Sequence, residues 1–144
     1  MTVQKKITTV ALVDWNWGGH HNHHYACYTA AFLQNGCHVV PLCAAVDQVL
    51  TLVAKTPVGA NVERMACLNM PASVEVPPPY RTCVPGRLRP VVQSIEHFWK
   101  IARVLRKWER SARQKVDLVF FSCIYDWEFA HFGAARWFFR YPWA

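Results

Sequence analysis

The stretch Thr8–Gly36, TTVALVDWNWGGHHNHHYACYTAAFLQNG, decides the fold. It begins with β-branched and apolar residues over Thr8–Val13, which predict a short buried strand. Asp14 ends this run, and a turn with the sequence WNWGG follows. From Tyr25 the apolar residues recur at the spacing of one helix face, and the final Asn-Gly pair supplies a left-handed stop. A strand, a glycine turn and a helix in this order predict the first unit of a Rossmann-like α/β domain.

Ligands of such a unit bind at the carboxyl end of the strand, beside the N-terminus of the helix, so we expect the chemistry at residues 14–24. Two adjacent glycines let backbone N–H groups approach a phosphate, although they also suit a plain tight turn. Histidines there can contact sugar hydroxyls or phosphate near neutral pH. Asp14 is either a catalytic base or a group that accepts hydrogen bonds from N–H donors of the turn. The candidate residues are Asp14, Trp17, Gly18, Gly19, His20, His21 and His24.

Two other site types fit this segment poorly. A dinucleotide site needs G-x-G-x-x-G and an acid about 20 residues later, and neither is present, which argues against a nicotinamide dehydrogenase. His20 and His24 are one helical turn apart, but no third ligand of the right type stands nearby in sequence. We therefore expect neither a metal nor an organic cofactor, and a histidine-rich zinc domain is the least favoured interpretation.

The rest of the chain predicts alternating strands and helices, and hence a parallel sheet flanked by helices. Pro41 weakens one of these strands, because proline cannot donate to a central ladder. A long proline-rich segment, 56–90, separates the second helix from the third. The predicted elements are a strand over Val39–Cys43, a helix over Gln48–Lys55 capped by Asp47, a helix over Val91–Gln114 and a strand over Leu118–Ser122.

With 144 residues, 53% of them hydrophobic, the sequence predicts one globular domain over 1–144. No apolar run approaches the roughly 20 residues of a membrane span, and no secretory signal is recognisable. The six cysteines include no C-x-x-C pair, which argues against a zinc ribbon or a disulfide scaffold. We therefore expect a cytoplasmic protein with reduced thiols.

The net charge of +7 is unevenly distributed, because ten of the sixteen basic residues lie between Arg81 and Lys115. A basic helix face over 91–114 is either simply solvated or binds the anionic surface of the inner membrane, with Trp99 and Trp108 at headgroup level. Nucleic-acid binding is not expected, since no glycine-aromatic RNA motif or helix-turn-helix signature accompanies the charge.

The last segment, Tyr125–Ala144, is densely aromatic and predicts a helix over Trp127–Arg136. Exposing so many large rings is costly, so we expect a further domain to cover them. Asp126 and Glu128 follow the last predicted strand and either face the same cleft as Asp14 or act as N-terminal charges of that helix.

These motifs together resemble the N-terminal domain of GT-B-fold glycosyltransferases of the family 1 and family 4 type. The resemblance is carried by V-D-x-x-x-G-G-H-H at 13–21, by Tyr25, by a helix that ends in Asn-Gly, and by the strand sequence H-V-V-P-L-C. It covers nearly the whole chain, and the K-V-D-L-V-F-F strand falls where such a domain has one.

The resemblance implies half of a twin-Rossmann enzyme that transfers a sugar from a nucleotide-sugar donor to an acceptor. The N-terminal domain of such enzymes mostly binds the acceptor, and its glycine loop, here Gly18 to His21, reaches the donor diphosphate. Tyr125 and Asp126 fall where many members carry a histidine. The C-terminal domain is absent, so we expect a truncated or separately encoded fragment that is inactive alone. The alternative is a non-catalytic Rossmann-like module that binds a phosphorylated ligand or a partner protein.

Overall fold

The structure, a computed structural model, describes most of the chain. The described residues are 7–14, 21–43, 45–65, 68–69, 85–123, 133, 136–137 and 139–144. They divide into two compact units. The first contains all four strands, the first two helices and residues 141–144, and the second contains the long third helix.

Strands and helices alternate along the chain, as the sequence predicts. The elements are β1 (Thr9–Val13), α1 (His21–Gln34), β2 (His38–Cys43), α2 (Val46–Ala54), a 3₁₀ helix (Gly59–Arg64), β3 (Leu68–Asn69), a second 3₁₀ helix (Gly86–Leu88), α3 (Arg89–Ala112) and β4 (Leu118–Phe121).

The four strands form one parallel sheet in the order β3-β2-β1-β4. The chain moves outward from β1 through β2 to the short β3, and it later returns to the opposite side of β1 as β4. This reversal of direction is the topological switch of a Rossmann-like sheet. The predicted α/β class, a parallel sheet flanked by helices, is confirmed.

The first strand and helix form where the opening stretch predicts them. All five side chains of β1 are buried, as expected of a strand in the middle of a parallel sheet. Gly36 has φ of +78°, and its N–H and that of Cys37 bond to the carbonyls of Leu33 and Phe32. These two bonds form a Schellman cap, so the Asn-Gly stop is confirmed.

One residue on the predicted apolar face of α1, Tyr28, is not buried. Ala26 is buried, whereas Tyr28 is 37% exposed and lays its ring 5.0 Å from that of Phe120 in β4. The core between the sheet and the helices α1 and α2 comprises Leu12, Tyr25, Ala26, Leu33, Val39, Cys43, Val46, Val49, Val53 and Met65.

Pro41 lies inside β2, opposite Leu12, although β2 has neighbours on both sides. The main-chain groups of His38 and Leu42 bond to the β1 side, through Thr8 and Asp14 respectively. Main-chain groups alternate along a strand, so the nitrogen of Pro41 faces the other side, where β3 is only two residues long. The missing donor therefore costs β2 no bond to β1.

The predicted cap of α2 is wrong. The helix begins at Val46, its N-cap is Ala45, and no side chain caps it, so Asp47 lies in the first turn rather than at the cap. The four apolar residues that the sequence predicts to face the core do so to different degrees: Val49 and Val53 are buried, and Leu50 and Leu52 are half-buried.

Helix α3 begins two residues earlier than predicted, with Pro90 in its first turn, and is followed by Arg113 in the left-handed region. The apolar repeat of this helix predicts an inward stripe that includes Phe98, Ala102 and Leu105, widened by Ile101 and Trp108. The first four of these side chains are buried, and Phe98 packs edge-on against Phe139. Trp108 is only 7% exposed, so its place on the apolar stripe is confirmed and the alternative place at headgroup level is wrong. Among the described helices, none is both long and apolar enough to cross a bilayer.

The outer edge of β4 is paired with the last residues of the chain. The N–H groups of Val119 and Phe121 donate to the carbonyls of Pro142 and Ala144, and the N–H of Ala144 donates back to Val119. The helix predicted over Trp127–Arg136 lies almost entirely outside the described residues.

Candidate functional site

The switch point between β1 and β4 brings two polar residues together at the carboxyl edge of the sheet. Val13 is in register with Phe121, so the next residues, Asp14 and Ser122, leave their strands side by side. The N–H of Asp14 bonds to the Leu42 carbonyl at 3.0 Å, and the N–H of Ser122 bonds to that of Val13 at 3.1 Å. The backbone under both side chains is therefore fixed by the sheet.

Asp14 is fully buried, and a buried carboxylate is costly unless donors surround it. Ser122 Oγ lies 2.6 Å from Asp14 Oδ2 and donates to it. This is the short distance expected when a hydroxyl bonds to a charged oxygen. The Val13 carbonyl, 3.3 Å from the same hydroxyl, is a weaker alternative acceptor.

His21, the first residue of α1, supplies a second group to the same oxygen. Its Nδ1 lies 3.4 Å from Asp14 Oδ2, and its side chain is 15% exposed. A carboxylate at this position favours the tautomer with the proton on Nδ1. In that tautomer the basic lone pair of the imidazole is on Nε2, which is the arrangement of a carboxylate-oriented base.

The arrangement differs from that of a serine hydrolase. In a catalytic triad the imidazole lies between the serine and the acid, and it removes the serine proton. Here the carboxylate of Asp14 is the central group, and both Ser122 and His21 contact its Oδ2. Ser122 is thus a hydrogen-bond donor that holds the carboxylate, not an activated nucleophile.

Tyr25, one turn after His21 on α1, supports this edge from inside the core. Its hydroxyl donates to the Leu12 carbonyl at 2.7 Å, and the side chain is fully buried. Burial is the main reason that the pKa of Tyr25 lies well above its ordinary value of 10.0. The phenol therefore stays neutral and ties α1 to β1 directly behind Asp14.

Of the predicted site residues, the structure brings Asp14 and His21 together, while His24 is exposed on α1. The other candidates, Trp17, Gly18, Gly19, His20, Tyr125 and Asp126, lie outside the described residues, as does Glu128. Their assignment stays a prediction.

Ser122 is not among the candidate residues predicted from the sequence. The only signal for it was positional: it directly follows the apolar run that becomes β4. Its contact with Asp14 spans 108 residues of sequence and depends on the register of two strands that are not consecutive. Hydrophobic pattern alone does not determine that register.

A second polar feature lies on the other side of α1. A cleft of about 490 Å³ between α1 and α2 is lined by Asn22, His23, Asp47, Gln48, Thr51 and Leu52. The thiol of Cys27 lies 3.6 Å from His23 Nε2 on the exposed face of α1. Within the described ranges, no three side chains of His, Cys, Asp or Glu are grouped so that they could hold a metal ion.

No protein-family model matches this chain, and neither a curated protein nor a solved structure matches it. The arguments for its function therefore come from the Asp14–His21–Ser122 cluster and from the resemblance in the sequence.

Proposed function

We propose that this chain is the acceptor-binding half of a metal-independent GT-B glycosyltransferase, in which His21 is the catalytic base. The observation that carries the proposal is the contact between Asp14 Oδ2 and His21 Nδ1 at the topological switch point. Rossmann-like sheets bind their ligands at this place. The resemblance of residues 13–21 to the glycosyltransferase pattern favours sugar transfer over other reactions at such an edge.

In the proposed reaction, Nε2 of His21 takes the proton from an acceptor hydroxyl as that oxygen attacks the anomeric carbon of the donor sugar. The bond from this carbon to the nucleotide diphosphate breaks, and the diphosphate leaves with the bonding electrons. Asp14 stabilises the imidazolium that forms, and Ser122 keeps the carboxylate in place. The reaction needs no organic cofactor, because the nucleotide sugar is itself a substrate.

The remaining predicted residues complete this proposal. Backbone N–H groups at Gly18 and Gly19 approach the diphosphate, where negative charge grows as the bond breaks. By the resemblance, Trp17 and His20 belong to the glycine loop, and Tyr125 and Asp126 correspond to positions near the transferred sugar. The resemblance assigns binding of the nucleotide to a second domain.

Binding of the acceptor to the 144-residue protein tests the proposal without requiring turnover. Nitrogen-15 spectra of the histidine side chains are recorded during titration with a panel of sugar and lipid-like acceptors, nucleotide sugars and inorganic phosphate. We expect an acceptor hydroxyl to perturb Nε2 of His21. His21→Gln should weaken binding of that acceptor about 5- to 10-fold, the effect of one lost hydrogen bond.

Two variants make the result specific. His23→Gln, on the exposed opposite side of α1, is the matched control and should bind as the wild type does. Asp14→Asn should change the tautomer of His21 while leaving the protein folded. If only phosphate binds, and no acceptor does, the chain is a module for phosphorylated ligands and sugar transfer is excluded. Sugar transfer by the isolated chain would instead contradict its assignment as half of an enzyme.

We also propose a cytoplasmic location. The supporting observation is that the described cysteines, Cys27, Cys37, Cys43 and Cys123, all carry free thiols. Thiol counting on protein denatured without a reductant should find all six cysteines of the sequence reactive. A count of four or fewer would indicate a disulfide and an oxidising compartment.

A further inference from the structure

The exposed face of α3 carries a continuous cationic stripe. Its members follow one another at steps of four and three residues, the spacing that keeps side chains on one side of a helix. All are exposed: Trp99, Arg103, Arg106, Arg110 and Arg113, with Lys107 beside them. The buried residues of α3 lie on the opposite side, so the helix is sharply divided into an apolar and a basic face.

Along this part of α3, basic residues far outnumber acidic ones. Six of residues 99–113 are basic, and Glu109, which is half-buried, is the one acid among them. One turn before the stripe, Glu96 is paired with Lys100 within the same helix. The cations therefore exceed the acids along about 21 Å of helix, at the usual rise per residue.

The stripe begins with an exposed aromatic ring. Trp99 is 46% exposed, and the guanidinium of Arg103 lies 5.3 Å from the centre of its ring. Leu88, at the start of α3 and three turns before Trp99, is 52% exposed. Tryptophan prefers the interface between lipid headgroups and water, and an arginine stacked on it can remain bonded to phosphate there.

We propose that this face of α3 binds the surface of an anionic lipid bilayer, with the arginines among the headgroups and Trp99 at the interface. A bilayer presents phosphates over a plane, so a straight stripe on one helix is sufficient. Single-stranded nucleic acid is bound by grooves with several stacking rings, whereas this stripe offers one. The inference does not rest on sugar transfer, because it uses none of the residues of the Asp14 cluster.

Vesicle flotation of the 144-residue protein tests the proposal. Vesicles of phosphatidylcholine alone are compared with vesicles that contain 30 mol% phosphatidylglycerol. We expect binding to the anionic vesicles only, with a loss between 0.1 and 0.5 M salt as charges are screened. The triple variant Arg103→Gln, Lys107→Gln, Arg110→Gln should lower the partition coefficient about 100-fold, at about 5-fold for each cation near the surface.

A matched triple variant removes the same charge elsewhere: Lys55→Gln, Arg136→Gln and Arg140→Gln, all at exposed positions. It should retain most of the binding, because its stripe is intact. A further triple variant with lysine at 103, 106 and 110 preserves the charge and should bind close to the wild type. Circular dichroism and the melting temperature confirm that each variant is folded.

Three results would overturn the proposal. The first is equal binding of the protein to neutral and anionic vesicles. The second is an equal loss of vesicle binding in the two triple glutamine variants, because binding would then depend on net charge alone. The third is binding of a single-stranded oligonucleotide, but of neither vesicle, that the Arg103 triple abolishes. That result would assign the stripe to nucleic acid.

Discussion

Two carboxylates join β1 to the chain around β4, one at each edge of the sheet, and their donors differ in kind. At the amino edge, Oδ2 of Asp117 accepts from the backbone N–H groups of Thr8 and Thr9 at 3.0 and 3.1 Å, and from the Thr8 hydroxyl at 2.8 Å. At the carboxyl edge, Oδ2 of Asp14 is contacted by the side chains of Ser122 and His21.

The difference separates a structural role from a chemical one. Backbone N–H groups neither titrate nor move without the strand, so the bonds of Asp117 fix the start of β1. An imidazole can exchange protons with a ligand, so the contact of His21 with Asp14 can change during a reaction. In the proposed function, the same two strands thus have a fixed end at Asp117 and a ligand-binding end at Asp14, where parallel sheets bind their ligands.

The largest loss of stability is expected at the amino edge of the sheet, where Asp117 holds the start of β1. Asp117→Ala leaves two backbone N–H groups of β1 without this acceptor, and each unsatisfied group costs about 1–3 kcal/mol. Water reaches the exposed Thr8, so we expect the free energy of unfolding to fall by about 2–3 kcal/mol in urea titration. Asp47→Ala, in the exposed first turn of α2, is the control and should cost about 0.3–1 kcal/mol. A comparable loss of unfolding free energy in the two variants would show that Asp117 has no special role in fixing the start of β1.

The next effect should come from Ser122→Ala at the other edge. Loss of a hydrogen bond to a charged group costs about 1.5–3 kcal/mol, and we expect the lower end because Ser122 is half-buried. In an Asp14→Asn background the acceptor is a neutral amide oxygen, so the effect of Ser122→Ala should fall by about half, which a double-mutant cycle measures. Ser111→Ala, at the exposed end of α3, should be near neutral. Full additivity of the Ser122 and Asp14 substitutions would show that the two side chains do not interact in solution.

Local patterns predicted the elements well, because each depends on residues close in sequence. Gly36 ends α1 through its own positive φ, and the apolar runs become β1 and β4. Contacts between residues far apart in sequence were harder to predict. The contact between Ser122 and Asp14 depends on the order and register of the strands, which the local patterns do not determine.

Two errors show where a pattern permits more than one outcome. Asp47 suits an N-cap, but the helix starts two residues earlier than predicted, at Val46, whose side chain is buried in the core. Trp108 suits either a membrane interface or a core, and the position of its neighbours Leu105 and Ile101 on the inner face of α3 places it inside. In both cases burial of apolar surface outweighed the local preference.

A smaller loss of stability should follow from removing the hydrogen bond of Tyr25 to β1. Tyr25→Phe deprives the Leu12 carbonyl of its donor and should lower the free energy of unfolding by about 1 kcal/mol. Because the pKa of Tyr25 is raised, mainly by burial, this loss should be the same from neutral to mildly alkaline pH. Tyr28→Phe, whose ring is partly exposed against Phe120, is the matched control and should be near neutral. A loss that varied across this pH range would show that the phenol ionises in the folded protein.

The smallest expected effect is a pH dependence that originates outside the Asp14 cluster. Burial lowers the pKa of His38, at the start of β2, below its ordinary value of 6.5, and burial followed by the charge of Lys100 does the same for His97 on α3. The unfolded chain then binds these protons more readily, so stability is complete above pH 6.5 and decreases as the pH falls below it. Both rings are partly solvated, so each should contribute only a few tenths of a kcal/mol between pH 7 and 5. His38→Gln and His97→Gln should each flatten the pH dependence of the urea midpoint, and the double variant should flatten it further. An unchanged slope in the double variant would show that neither His38 nor His97 is the source of the acid sensitivity.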